Sequence, residues 1–281
     1  MKILDKLLNI DPRIMYGLLI LIIVLLLVEP VEMPIGSTRA VTGIYDTIEK
    51  LPTDKIVIIS IVWSSSTMSE NRPQTEAIMR HLFRRGIKFA ILSWDQQGTQ
   101  LAYDSAEKLS KEMGKKYGVD WCAWGYRVPY FIQILPALAK NIPGTIRKDQ
   151  FGTDVTKIPM MRGVKNIHDV GMIAEVTGSK TVEYWIMFVQ GVYGTKIAYA
   201  TTLVGAPEGF NFLDAHQVVG MLSGLPGAGQ YEHMLKYRGF GQIASSALSG
   251  SHLLIIGLII LGNVGLLAQR RRRETRGSEI S

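Results

Sequence analysis

This sequence of 281 residues contains a single cysteine, Cys122, and lacks the short motifs that mark most nucleotide-binding and hydrolytic enzymes. One cysteine excludes an intrachain disulfide and a zinc site built from several cysteines. Neither Gly-x-x-x-x-Gly-Lys-[Ser/Thr], His-Glu-x-x-His nor Gly-x-Ser-x-Gly occurs, and no Gly-x-Gly-x-x-Gly follows the first predicted strand. We therefore predict no cofactor and no metal site, and we assign no catalytic residue.

Charged residues are absent from the stretch between Ile243 and Ala268, and four arginines follow it almost directly. As a helix rising about 1.5 Å per residue, this stretch reaches about 39 Å, more than the roughly 30 Å of bilayer hydrocarbon. Arginines at the end of a spanning helix mark its cytoplasmic side. We predict a transmembrane helix over 243–269 and a basic cytoplasmic tail over 270–281. Its membrane-interface residues are Arg270, Arg271, Arg272 and Arg273.

A shorter uncharged run, Ile14–Val28, lies near the N-terminus. The segment that follows it, Glu29–Pro34, contains no small-x-small cleavage site, which favours an uncleaved anchor over a signal peptide. We predict a transmembrane helix over 14–31, preceded by an amphipathic cytoplasmic segment over 1–13. Cleavage of this run as a signal peptide is the alternative.

Basic residues before the first run predict that the N-terminus, like the C-terminus, is cytoplasmic. Two spans then place residues 32–242, the predicted globular domain, on the extracytoplasmic side of the plasma membrane. A cytoplasmic domain flanked by hydrophobic hairpins that never cross is the alternative.

The net charge of +7 belongs largely to the ends of the chain. Residues 29–250 carry 23 basic and 20 acidic side chains, without a dense basic and aromatic patch. The basic tail is suited to anionic lipid headgroups. We therefore predict the lipid bilayer as a partner and no nucleic acid.

Strand and helix patterns alternate between the two apolar ends. The nearly continuous β-branched run Lys55–Trp63 is typical of a strand covered on both faces. In the helix after it, Pro73 is expected in the first turn and Gly86 at the end. Predicted strands are 55–63, 87–94, 121–126, 171–176 and 196–203, and predicted helices include 42–51, 99–116, 130–140 and 180–192.

About five strands separated by helices predict a three-layer α/β fold with a mostly parallel sheet. This layout resembles Rossmann-like or flavodoxin-like domains, in architecture alone. Residues 141–170 lack clear periodicity and are expected to form a lid, a β excursion or an interface arm. The glycine-rich run Gly220–Gly229 is predicted to end an amphipathic helix and to allow close packing or a hinge.

Polar side chains follow several predicted strands, at the edge where such sheets usually bind ligands. The expected ligand-binding residues are Ser64, Ser65, Ser66, Asp95, Glu175, Thr177, Ser179 and Lys180. Lys180 and the backbone amides beside it are expected to hold an anion. The alternative is that these residues only cap helices and form turns.

These patterns favour a non-catalytic subunit, scaffold or binding module of a membrane complex. Ser246 and Gly250, four residues apart, would let spanning helices approach closely, so a homo-oligomer or other membrane subunits are the expected partners. The alternative is a membrane-tethered hydrolase or transferase with its site at the carboxyl ends of the strands. Convergence of Asp95, Glu175 and His168 around a deep pocket would favour that enzyme.

Overall fold

The computed structural model describes residues 11–29 and 36–278, with side chains described as far as Ala268 and at Arg270. These residues form two compact units. One unit is Ile35–Gln242, described from Gly36 onward. The other combines the N-terminal segment with the chain from Ile243 onward.

The unit that begins at Ile35 is built on a six-stranded sheet in which every neighbouring pair is parallel. Its strands are β1 (Ile56–Val62), β2 (Phe89–Ser93), β3 (Trp121–Tyr126), β4 (Val170–Thr177), β5 (Lys196–Thr201) and β6 (Gly220–Ser223). Their order across the sheet is β3-β2-β1-β4-β5-β6. The predicted α/β class with a parallel sheet is confirmed, but the expected number of about five strands is wrong because β6 was missed.

Helices flank the sheet on both faces. The helices described are α1 (Pro12–Val28), α2 (Arg39–Lys50), α3 (Met68–Arg85), α4 (Gln96–Glu112), α5 (Phe131–Lys140), α6 (Ile142–Ile146), α7 (the successive turns Val182–Trp185, Ile186–Gln190 and Gly191–Tyr193), α8 (Ala206–Asp214), α9 (Gly224–Met234) and α10 (Phe240–Ser278). The middle turn of α7 is a π-helix. Buried side chains of α2, α3, α4 and α9 cover one face of the sheet, and those of α5, α6 and α7 cover the other.

The apolar strand sequences follow from this double cover. In β1, Ile56 and Ile58 belong to one core cluster, whereas Val57, Ile59 and Ile61 belong to the other. Because successive side chains of a strand point to opposite faces, a sheet covered on both sides requires apolar residues at nearly every position.

The segment 141–170, which has no sequence periodicity, is a covering layer of the core. It contains α6 and the one-turn 3₁₀ helices Val155–Lys157, Pro159–Met161 and Ile167–Asp169. Ile142, Val155 and Ile167 are at most 1% exposed. The segment therefore takes the place of a regular helix over one face of the sheet.

The glycine-rich run contains a strand, which corrects the prediction that it ends a helix. Gly220 begins β6, and α9 starts directly after that strand. A methyl group added at Gly220 would lie 2.6 Å from the backbone nitrogen of Ile44, and one added at Gly43 would overlap the carbonyl oxygen of Val219. These two glycines let α2 and β6 meet backbone to backbone.

The boundaries of α3 show one correct and one wrong prediction. Its end at Gly86 is confirmed, since Gly86 has φ 69° and its amide caps carbonyl groups of the last turn. Pro73 was expected in the first turn, but the helix starts at Met68, so Pro73 lies inside it.

The other unit contains two apolar helices, α1 and the apolar part of α10. Of the described helices, only α10, over Phe240–Ala268, is both long and apolar enough to span a membrane. At 17 residues, α1 reaches about 26 Å, short of the roughly 30 Å hydrocarbon core.

Contacts within this unit show that α1 and α10 are antiparallel. A methyl group added at Gly250 would overlap Leu26, near the end of α1. Met15 and Leu19, near the start of α1, line one cavity of about 310 Å³ with Leu254 and Leu258. As α10 proceeds, its neighbours therefore move from the end of α1 toward its beginning.

We expect Gly43→Ala to lower the free energy of unfolding by about 2 kcal/mol or more, because the added methyl group has no space between α2 and β6. Gly36→Ala is the matched control, since a methyl group at Gly36 meets no atom of the described residues within 4 Å. Denaturant unfolding of the full chain in detergent measures both variants. Equal stability of the two variants would contradict the close contact.

Candidate functional site

The direction in which successive strands are added to the sheet reverses between the neighbouring strands β1 and β4. β1 pairs with β2 on one side and with β4 on the other. In open α/β sheets, ligands bind in the crevice outside such a point. Several predicted ligand-binding residues follow these two strands.

In this structure the two strand ends are joined by close contacts. The Gly178 amide donates to the Val62 carbonyl oxygen at 3.0 Å. A methyl group added at Gly178 would lie 2.8 Å from the Thr67 hydroxyl oxygen. The loops after β1 and β4 are thus in direct contact.

Two buried amide side chains of α3 occupy the neighbouring strand ends. Asn71 Nδ2 donates to the carbonyl oxygen of Thr177 at 3.2 Å, and Gln74 Nε2 donates to that of Thr201 at 2.8 Å. Gln74 Nε2 also lies 3.3 Å from the carbonyl oxygen of Leu222. These contacts satisfy backbone acceptors at the ends of β4, β5 and β6.

The three serines after β1 are at or near the surface. The hydroxyl oxygens of Ser64 and Ser66 are 3.0 Å apart, and the Ser65 hydroxyl donates to Gln97 Oε1 at 3.1 Å. Ser65 and Ser66 are exposed, whereas Ser64 is half-buried. The hydrogen bonds of these three serines thus involve only the loop after β1 and the start of α4 after β2.

Asp95 and Lys180 both have partners within the fold. Asp95 Oδ1 accepts a hydrogen bond from the Gly98 amide at 2.7 Å and so caps α4. Lys180 Nζ lies 2.7 Å from Glu208 Oε2, and this hydrogen bond raises the pKa of Lys180. The positive charge expected to hold an anion is therefore paired with a carboxylate.

Glu175 is the centre of a buried hydrogen-bond network. It is fully buried on β4, directly opposite Ser60 of β1. Ser60 Oγ accepts from the indole nitrogens of Trp94 and Trp185 at 3.0 and 3.1 Å. The one hydroxyl proton of Ser60 is left for Glu175, whose Oε1 also accepts from the hydroxyl of Thr181.

Burial raises the pKa of Glu175 to about 7, partly opposed by hydrogen bonds from Ser60 and Thr181. Its second oxygen, Oε2, is buried and has no hydrogen-bond partner among the described residues. Near neutral pH the carboxyl group of Glu175 is therefore partly protonated and partly ionised. A titrating buried carboxyl group beside a strand end is a typical functional-site candidate.

A line of hydroxyl groups leads from Glu175 toward the surface. Thr181 Oγ1 lies 3.1 Å from Thr177 Oγ1, which lies 3.1 Å from the Ser179 hydroxyl. Thr181 is half-buried and Ser179 is exposed. The fold thus brings together three predicted site residues, Glu175, Thr177 and Ser179.

Sequence reasoning missed Ser60, Thr181, Trp94 and Trp185 as members of this network. The only signal for Ser60 was its hydroxyl group within an otherwise apolar strand. Trp94 also contacts Phe131, with ring centroids 4.6 Å apart. The aromatic side of the network could not be read from the sequence because it joins residues far apart in the chain.

The two histidines with neighbouring aspartates do not join Glu175. His168 lies in the 3₁₀ turn before β4, at the opposite end of that strand and roughly 20 Å away at about 3.3 Å per residue. His216, with φ 55°, lines a cavity of about 700 Å³ together with Asp214. An enzyme of the expected kind would bring Asp95, Glu175 and His168 together around one pocket. Within the described part of the chain these three side chains do not converge.

A third histidine, His81, is part of a buried polar cluster that sequence reasoning missed. Its ring nitrogens lie 2.7 Å from the Tyr231 hydroxyl and 2.9 Å from Glu49 Oε1. Burial lowers the pKa of His81 to about 4, so the ring is neutral at pH 7. The cluster connects α2, α3 and α9, which indicates a structural role.

No group of three or more His, Cys, Asp or Glu side chains within the described ranges is arranged to hold a metal ion. Comparison with protein-family models, curated proteins and solved structures gives no match for this chain. Its class is thus defined by the fold alone, as an α/β protein with a six-stranded parallel sheet.

The titration of Glu175 predicts a dependence of stability on pH. Because the folded protein holds this proton more tightly than the unfolded chain, the contribution of Glu175 to the unfolding free energy falls as pH rises from about 4.5 to about 7. Glu175→Gln, which cannot ionise, should be more stable than the wild type at pH 8, by up to about 3 kcal/mol. Denaturant unfolding in detergent at pH 4 and pH 8 measures the difference.

Glu107→Gln, a surface change on α4, is the control for removal of one carboxylate. It should leave the pH dependence of the wild type unchanged. If the unfolding free energy of Glu175→Gln equals that of the wild type at both pH 4 and pH 8, the raised pKa of Glu175 is contradicted.

Proposed function

We propose that this chain is a membrane-anchored binding module, a non-catalytic subunit or scaffold of a membrane complex. The observation that carries the proposal is the apolar surface of α1 and α10. Large apolar side chains on these helices are 38–74% exposed in this structure, among them Val28, Leu253 and Leu267. An uncovered apolar surface of this extent marks a membrane or protein contact.

The antiparallel packing of α1 and α10 suits a pair of helices that cross a bilayer together. We propose that both span it, with α1 extended by its flanking residues or matched by local thinning of the bilayer. Lys2 and Lys6 before α1, Arg13 in its first turn and the arginines at 270–273 then favour a cytoplasmic location for both termini. The α/β domain, proposed to be of Rossmann type, is extracytoplasmic in this arrangement.

The partners in this proposal are the lipid bilayer and other membrane subunits, or further copies of the chain, with no nucleic acid. Small residues support helix association, because Gly250 already allows Leu26 to approach the α10 backbone. The pairing of Lys180 with Glu208 and the capping role of Asp95 support a structural rather than a catalytic role for these two side chains.

A membrane-tethered hydrolase or transferase is the second candidate, and one observation favours it. Glu175 has the titration range and the free oxygen of a general base or acid. Its reaction would require a substrate to reach a fully buried carboxyl group through the loops after β1 and β4. The first proposal requires no such opening.

Sidedness can be tested with single cysteines, because the native Cys122 is fully buried. On intact cells, a membrane-impermeant maleimide should label Lys111→Cys, whose native side chain is 73% exposed on α4. It should not label a cysteine added after Ser281 until the cells are permeabilised. Wild-type protein is the control for labelling of Cys122.

The reverse labelling pattern would place the α/β domain in the cytoplasm and contradict the proposed orientation. Release of the full-length chain from membranes by alkaline carbonate would contradict the anchoring itself.

The scaffold proposal predicts stable partners. Full-length chain isolated in mild detergent should retain the same membrane subunits, or additional copies of itself, in fixed proportion. Glu175→Gln should retain them equally, because Glu175 has no part in the proposed assembly. A monomer without partners that turns over a small ester or phosphoester, with activity lost in Glu175→Gln, would favour the hydrolase instead.

A further inference from the structure

A cleft between α3 and α4 has the lining of an amphiphile-binding site. It encloses about 480 Å³ and lies apart from the Glu175 network. Its walls combine apolar and polar side chains: Met68, Pro73 and Phe240 with Ser65, Ser69, Arg72, Glu76 and Lys108. We call it the α3–α4 cleft.

Arg72 is held so that part of its guanidinium group stays available. Its Nε donates to Glu76 Oε1 at 2.9 Å and to the Ser105 hydroxyl oxygen at 3.2 Å. Ser105 in turn donates to Glu76 Oε1 at 2.9 Å. The two Nη groups have no partner in the described part of the chain, and such a fork matches the oxygens of a phosphate group.

Lys108 adds a second cation to the same cleft. It is exposed, and its ammonium group makes no ion pair with any described residue. With Glu76 engaged by Arg72 and Ser105, the lining carries one net positive charge. The hydroxyl group of Ser69 supplies a further donor at the same wall, since the Ser65 hydroxyl already donates to Gln97.

The aromatic side of this cleft is formed by Phe240, which belongs to the α/β unit. It is the first residue of the stretch Phe240–Ala268, and its side chain is 54% exposed. Its position is fixed because Glu232 accepts the amides of Gly241 and Gln242 at 3.1 and 2.8 Å. Phe240, which belongs to the α/β unit, therefore adds an aromatic ring to the cationic cleft.

We propose that the α3–α4 cleft binds the headgroup of an anionic phospholipid. Arg72 and Lys108 hold the phosphate, the Ser69 hydroxyl hydrogen-bonds the headgroup, and Met68 and Phe240 contact the first part of the acyl chains. The proposal rests on the proposed membrane anchoring, since only an anchored chain meets this ligand at high concentration.

The test uses full-length protein in an uncharged detergent, titrated with dioctanoyl phosphatidylglycerol and followed by native mass spectrometry. Wild type should retain one lipid. Lys108→Ala and Phe240→Ala should each weaken binding about tenfold, the cost of one lost charged or apolar contact. Lys111→Ala is the matched control, because Lys111 lies on the same helix but pairs with Glu107.

Dioctanoyl phosphatidylcholine should bind more weakly than phosphatidylglycerol, and excess inorganic phosphate should not displace the lipid. Displacement by phosphate would assign the cleft to free phosphate and overturn the lipid proposal. Equal losses in Lys108→Ala and Lys111→Ala would show unspecific charge attraction and overturn the site. Alkaline carbonate extraction of Lys108→Ala separates this failure from a failure of anchoring, because the variant should stay in the membrane.

Discussion

A parallel sheet must be covered on both faces, and the α/β domain follows from this constraint. Each strand needs apolar side chains pointing both ways, so the strands read as continuous apolar runs. The cover need not be regular helix. The segment 141–170 meets the requirement with single helical turns and fully buried side chains such as Ile142 and Val155. At the other edge of the sheet, Gly43 and Gly220 meet it by bringing α2 into backbone contact with β6.

The same burial gives the candidate site its properties. A carboxyl group on a buried strand loses water as a partner, which raises its pKa, and its neighbours supply the remaining hydrogen bonds. Ser60 and Thr181 do so for Glu175, while one oxygen is left without a partner. Asn71 and Gln74 satisfy strand-end carbonyl groups in a similar way. The carboxyl edge of this sheet is thus largely occupied by the protein's own side chains.

The apolar helices follow a different rule. In the α/β domain, large apolar side chains are mostly buried, but on α1 and α10 they remain exposed over most of both helices. The bilayer proposed to cover them also accounts for the arginines that follow the apolar part of α10 at 270–273. Phe240 belongs both to this apolar stretch and to the cationic α3–α4 cleft, which is why a lipid headgroup is the ligand proposed there.

The sequence by itself determined the α/β class, five of the six strands and the apolar ends, because these depend on local periodicity and hydrophobicity. It missed β6, whose four residues are too few for a pattern, and it misplaced the start of α3 by giving Pro73 too much weight. It also indicated Glu175, Thr177 and Ser179 from their position at a strand end. Only the tertiary structure decided that Trp94, Trp185 and Ser60 surround Glu175, and that Lys180 is paired with Glu208. Those contacts join residues that are distant in the chain, so local sequence patterns cannot predict them.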